Sequence, residues 1–317
     1  MARELDQEQA GEARMNSDTP VPVASPTSAP RRTLLEPAPG ETLRRVRSYF
    51  FEGLCVSSAV VVLVPLFLIF VYVVSKGLSG LSLDFFTQLP KPVGDERSGM
   101  GNAVVGTLIL VAIGCGIGLP TGILAGIYLA EIGRGKLAAA IRFIADVLGG
   151  VPSITIGVFV YALVVVTMKR FSALAGGIAL AIVMLPTVTR TTEELLKLVP
   201  AHLREASLAL GVPEWRTSLL VVLRTASPGI GTGVMLAVAR IAGETAPVLL
   251  TALGSSYWSF AIDRPIASLP VQIWRNATSP YPKWQQEAWT GALVLIVIVF
   301  LLNLLARIAT SRSVKAR

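Results

Sequence analysis

The chain has 317 residues, 53% hydrophobic and 15% charged, with a mean hydropathy of +0.65. A soluble domain needs a more charged surface than this, so the composition places the chain in a bilayer, where helices bond their own backbone. The formal charge of +8 comes from basic residues at the ends of apolar runs, which marks orientation in a membrane and not a nucleic-acid partner.

Two cysteines, Cys55 and Cys115, lie in or beside apolar runs and suit packing, and His202 is the only histidine. That inventory makes no disulfide framework, no His-based metal site and no Ser-His-Asp triad, so neither a cofactor nor a catalytic residue is expected. Residues 1–43 are rich in Pro, Ser, Glu and Arg and read as a disordered tail. The first apolar run begins near Leu54, later than a signal peptide would place it, and reads as a membrane anchor.

Six spans are expected, at about 54–75, 103–130, 144–168, 172–189, 226–252 and 288–309. Arg44, Arg45 and Arg47 before the first, Arg134, Lys136 and Arg142 after the second, and Arg307, Arg312, Lys315 and Arg317 at the end would put both termini in the cytoplasm. Lys169 and Arg170, in a short external turn, run against that bias. The external segment 253–287, with Tyr257, Trp258, Trp274, Tyr281 and Trp284, suits an interfacial belt against membrane lipid.

In the second span Gly114, Gly118, Gly122 and Gly126 fall every four residues, which lines one helix face for close approach of another helix. Pro120 lies in the same span, and Pro65, Pro152, Pro186 and Pro247 lie in or at the ends of others, as interrupted helices require.

Between spans four and five, residues 190–225 read as a short helix pair. Pro200 suits a first helical position and Gly211 the residue after a helix, with Leu203, Ala206 and Leu210 on one face. Arg204, Glu205, Glu214 and Arg216 occupy the rest, which gives a docking surface for a soluble partner.

The run Arg204-Glu205-Ala206-Ser207-Leu208-Ala209-Leu210-Gly211 resembles the EAA loop of ABC importer permeases, in which Glu-Ala-Ala is followed after three residues by Gly. Ser207 replaces an alanine of that pattern, and Arg224 stands where the family has a proline at the entry to the next span. Gly101-Asn102-Ala103-Val104-Val105-Gly106-Thr107, Gly149-Gly150-Val151-Pro152-Ser153, Arg190-Thr191-Thr192-Glu193-Glu194 and Gly243-Glu244-Thr245-Ala246-Pro247 narrow the likeness to A-type permeases of bacterial phosphate-specific (Pst-type) ABC importers.

The resemblance covers roughly residues 45–310. It implies the all-α type I (MetI-like) permease fold in the bacterial cytoplasmic membrane, with a permease domain over 44–312 and a coupling loop over about 191–224. Glu205, Ala206 and Gly211 of that loop would meet a cytosolic ATPase dimer. A second, C-type permease and an external phosphate-binding protein complete the implied complex. No Gly-x-x-x-x-Gly-Lys-Ser/Thr loop occurs in the chain, so ATP hydrolysis is assigned to the partner.

Arg240 and Glu244 stand four residues apart in span five, one helical turn and therefore on the same face. Arginine presents paired donors that match an oxyanion, and a nearby glutamate would occupy it when the anion is absent. The alternative is a fixed ion pair bracing the span; the resemblance favours a place on the translocation route. Arg190 is either a second arginine of that route or an orientation signal at an inner helix end. A self-sufficient anion transporter or channel fits the glycines, prolines and buried arginine equally, but leaves the capped loop without a role.

Overall fold

The computed structural model describes residues 41–95 and 97–315, which are joined entirely by helices and irregular segments, with no strand among them. The expected disordered tail falls on residues 1–40, outside the described residues, and on the start of the first helix. Five helices are long and apolar enough to cross a membrane, or six if one sharply bent pair counts as a span.

Residues up to Val64 and Pro65–Arg317 form separate units. The described residues of the first unit belong to α1 (Glu41–Leu78), where Val46, Phe50, Leu54 and Leu63 are all exposed. In the second unit the end of α1 meets the terminal helix, the Thr290 hydroxyl donating to the Gly77 carbonyl at 3.1 Å. A short helix α2 (Leu83–Thr87), capped by the Ser82 hydroxyl, leads into the first core helix.

The core is built on α3 (Gly101–Ile132) and α6 (Ala173–Lys197). The glycine stripe of α3 lies along α6: a methyl on Gly114, Gly118, Gly122 or Gly126 would meet Leu180, Met184, Val188 or Thr192 respectively. Both series rise together by four, so the two helices run parallel and the backbones approach as the stripe predicts. Leu110, Val111, Val183, Ala237 and Ile241 complete the buried cluster around this seam.

Parallel α3 and α6 require the intervening chain to cross back. It does so as α4 (Lys136–Gly150) and α5 (Ser153–Met168), bent by 109°. The expected straight span at 144–168 is therefore corrected to an elbow. Pro152 is its cause, since it supplies no amide hydrogen and holds Val151 extended (ψ 131°) beyond Gly150. The uncharged α5, about 24 Å long at 1.5 Å per residue, makes the crossing. The charged α4 packs on the end of α6.

Two more boundaries move. The fourth helix continues past 189 to Lys197, carrying Arg190 and Glu193 within it. The fifth begins at Glu214 as α8 (Glu214–Ala242), widens to a π turn at Thr217–Val222, and stops at Ala242. It resumes as α9 (Ala246–Thr251) after Gly243, Glu244 and Thr245, so the expected continuous span at 226–252 is broken. Helix α8 runs through Arg224 unbroken, which is what the loss of the family proline permits.

At the end where α6 begins, segment 252–268 covers the helix terminus: the Ala173 and Leu174 amides donate to the Arg264 and Ile262 carbonyls at 2.9 Å. Arg170, which opposed the charge bias, pairs there with Asp263 at 3.1 Å. Helices α10 (Leu269–Ala277) and α11 (Pro282–Lys315) follow, joined by Asn276 donating to Glu287.

Candidate functional site: a charged helix break and an anchored loop

Helix α8 has two faces. Ala226, Ile230, Gly233, Ala237 and Ile241 are buried, whereas Pro228, Thr232, Leu236 and Arg240 form an exposed line at intervals of four. Arg240 ends that line with its side chain 49% exposed, and Nε lies 3.8 Å from Glu244 Oε1. The pair is loose, because Glu244 stands beyond the helix end and not on the same helical face as expected.

The next residue, Ile241, packs at the level of Gly114 and Leu180. Gly114 is about 20 Å along α3 from Gly101, so Arg240 sits at depth within the helical core. A charge at bilayer centre costs about 3 kcal/mol even on the lower scales, and a backbone break there needs protein or water around it. Gly243 is exposed, and a methyl on it would meet only the Arg240 carbonyl, at 3.8 Å. Both facts favour an aqueous surface beside Arg240.

Arg190 has different partners. Its Nε donates to Asp146 Oδ1 at 2.8 Å and its Nη1 to Glu193 Oε2 at 3.1 Å, while Nη2 reaches Asp146 Oδ2 and the Arg142 carbonyl. Arg142 Nε and Lys197 Nζ each lie 2.6 Å from Glu193 Oε1. The sequence-expected trio thus divides: Arg240 and Glu244 come together, and Arg190 belongs to a second cluster that ties α4 to α6.

The loop between α6 and α8 contains α7 (Ala201–Ala209). Pro200 is the residue before the helix (ψ 139°) and not its first, as its extended conformation requires. Gly211 closes the helix with φ 79°, a left-handed turn that glycine adopts without strain. Its amide donates to the Leu208 carbonyl at 2.9 Å and that of Val212 to the Ser207 carbonyl at 3.2 Å, the double closure of a Schellman turn.

The expected apolar face of α7 is corrected by one residue of rotation. Leu203 and Ser207 face inward, with the Ser207 and Thr217 hydroxyls 2.8 Å apart, and Ala206 and Leu210 are exposed, Leu210 by 83%. Glu205, Ala206 and Gly211 therefore stand at the surface, beside exposed Trp215. Arg204 fastens the loop from beneath: Nη2 donates to Glu131 Oε1 at 2.7 Å and to the Leu196 carbonyl at 2.8 Å, and Nη1 to the Val199 carbonyl at 2.6 Å.

Sequence reasoning missed Glu193, Arg142, Arg204 and Glu131 as a set. Arg190, Glu193 and Lys197 at intervals of three and four are legible as one helix face. The contacts from Arg142 and to Glu131 cross between distant helices and leave no local signal.

An all-helical chain with an anchored, outward-facing loop at one end and a charged helix break at depth defines a membrane permease subunit. Residues 122–315 match the model of the binding-protein-dependent transport system inner membrane component, and the chain belongs to that family. It is 50% identical over 236 residues to the phosphate transport system permease protein PstA of Yersinia pestis, covering 74% of this chain and 80% of that one. The PstA of Haemophilus influenzae is 44% identical over 266 residues, with 84% and 94% covered.

Among solved structures, an inward-facing chain of the MetNI methionine ABC transporter aligns with TM-score 0.52 and 20% identity, over 68% of this chain and 94% of that one. A chain of a bacterial ABC transporter involved in import of the acidic polysaccharide alginate aligns with TM-score 0.55 and 14% identity, over 84% and 99%. At these identities the likeness is one of fold, the ABC importer permease fold.

Proposed function

We propose that this chain is the membrane-spanning permease subunit of an ABC importer that carries inorganic phosphate across the bacterial cytoplasmic membrane. Its relatives of 44–50% identity bear the name of phosphate transport permeases, which supports the substrate. A C-type permease would supply the other wall of the route. A cytosolic ATPase dimer would grip α7 and the Trp215 turn, and an external phosphate-binding protein would dock at the end formed by segment 252–281. Both chain termini are then cytoplasmic.

Arg240 on the exposed line of α8, beside the break at Gly243, carries the assignment of the route. Phosphate bears between one and two negative charges at neutral pH, and a guanidinium offers it two parallel donors. Glu244 at 3.8 Å holds the guanidinium when no anion is present, and exchange between carboxylate and phosphate keeps binding weak enough for release. In place of either sequence reading of Arg190, route arginine or orientation signal, we read it as a brace between α4 and α6, because two carboxylates already occupy its guanidinium. No covalent step is assigned to this chain.

The test is phosphate uptake by the complex reconstituted in vesicles with ATP inside. Arg240→Ala should lower uptake by about 100-fold or more, the loss of two charge-assisted hydrogen bonds, while the complex still assembles. Normal uptake by that variant would remove Arg240 from the route. Sulfate competing equally with phosphate would overturn the substrate assignment.

A further inference from the structure

Glu193 is the most enclosed acid among the described residues, its side chain 1% exposed, yet three cations reach it. Two of the contacts around it form a reciprocal clasp. Arg142 of α4 pairs with Glu193 of α6, and Arg190 of α6 pairs with Asp146 of α4. Three cations against two carboxylates leave the cluster with a formal charge of +1, so neutralising one acid leaves cations opposed in a confined space.

The clasp shares its footing with the loop. Arg142 Nη2 also donates to the Leu129 carbonyl at 2.8 Å, within the π turn Tyr128–Ile132 that ends α3. Two residues further on, Glu131 takes Arg204 of α7 and the Ser218 hydroxyl of α8. Loop and elbow are thus fastened to one turn of five residues. At the far side of the elbow, α5 touches α9: a methyl on Gly157 would lie 2.7 Å from Pro247 Cα. Pro247 is three residues from Glu244.

We infer that Glu193 is a positioning residue for transport: with Asp146, Arg142 and Arg190 it clasps α4 to α6, so that movement of the ATPase-facing loop reaches the elbow and, through Gly157 and Pro247, the Arg240–Glu244 break. This inference rests on the function proposed above. Ion pairs suit such a joint better than apolar packing. Their mutual attraction is largely offset by desolvation, so the joint opens at small cost, whereas loss of one member strands its partners and is felt strongly.

The experiment uses the assembled complex in vesicles and reads phosphate uptake and ATP hydrolysis together. Spin labels at Ala140→Cys on α4 and Glu194→Cys on α6, in a chain with Cys55→Ser and Cys115→Ser, report the clasp directly. Glu193→Gln should lower uptake per ATP hydrolysed by about tenfold, broaden the label separation and abolish its response to nucleotide. Glu193→Asp, which keeps the charge, should restore most of the ratio.

If Glu193→Gln does not assemble, Asp146→Asn removes the exposed limb of the clasp and should show the same fall in ratio. An unchanged ratio with a nucleotide-responsive separation overturns the inference, as does a parallel fall of uptake and hydrolysis. Because the label separation does not depend on phosphate, a wild-type complex that hydrolyses ATP without phosphate uptake would sink the proposed substrate and leave the clasp to be judged on its own.

Discussion

Replacing Gly122 by alanine tests whether the seam between α3 and α6 is set by backbone approach. The new methyl would lie 2.8 Å from Val188 Cγ1 and 2.9 Å from Val188 Cβ. That is about 1 Å inside ordinary carbon contact. Val188 is 1% exposed, and a helical valine keeps one side-chain rotamer, so it has nowhere to swing. The helices must part instead, and a gap of about 0.5–1 Å forfeits a quarter to a half of the contact energy along the seam. Overpacking of this kind costs about 1–3 kcal/mol, and alanine in place of a helical glycine returns at most about 1 kcal/mol. The expected net loss of about 1–2 kcal/mol lowers the melting temperature by about 2–6 °C. Thermal unfolding in detergent, followed by tryptophan fluorescence, reads it against Gly116→Ala, which meets nothing within 4 Å on the same helix. Gly118→Ala should cost at least as much as Gly122→Ala, since its methyl would meet the fully buried Met184 at 2.6 Å and the Ala181 Cα at 3.2 Å. Gly122→Ala as stable as Gly116→Ala would refute close approach as the basis of the seam.

Two further outcomes concern the loop. Gly211→Ala introduces a side chain at φ 79° with open space around it, so the cost of about 1–2 kcal/mol is purely conformational; amide exchange over 201–213 should quicken about five- to thirtyfold, and Gly211→Asn should recover part of it. Leu210→Glu alters a side chain that is 83% exposed, so the chain's own melting temperature should hold while its affinity for the ATPase subunit falls about tenfold or more in a binding titration. A loss of chain stability with unchanged affinity would place Leu210 in the fold and not in the docking surface.

What the sequence discloses here is what a single helix can encode. Four glycines at intervals of four state a face, and the partner face on α6 needs only residues at the same interval to receive it. Gly211 announces its left-handed turn because no other residue adopts it as cheaply. The breaks were harder to place. Pro152 and the Gly-Glu-Thr run each mark an interruption, but a proline alone does not distinguish a kink from an elbow, and Pro120, Pro186 and Pro228 lie inside continuous helices. At Pro152 the charged face of α4 adds what the proline alone lacks, and that face is legible only once Arg142 and Asp146 are seen to pair with Glu193 and Arg190 of α6. The inward face of α7 differs by one residue from the expected one because Ser207, a polar residue, is buried through its bond to Thr217, while Leu210 is exposed.

The break in α8 also explains how an arginine can serve a route without trapping its cargo. Arg240 lies in the last turn of a helix that ends at Ala242, and a helix C-terminus carries about half a negative charge. Glu244 adds a full charge at 3.8 Å, an attraction of about 1 kcal/mol in water and about 4 kcal/mol at an effective dielectric of 20. On the route proposed for Arg240, an arriving anion would therefore meet a guanidinium that is already balanced, and would bind by displacing a carboxylate instead of filling a bare positive site. Had α8 continued to 252, the helix end and its partial charge would be absent from this depth, and Glu244 would be fixed in helical register with Arg240. Separating the two by a helix end leaves Glu244 in the irregular segment between α8 and α9, three residues before Pro247, which packs on α5. If the elbow moves as inferred above, the distance between the two charges would change with it, and so would the affinity proposed for the site.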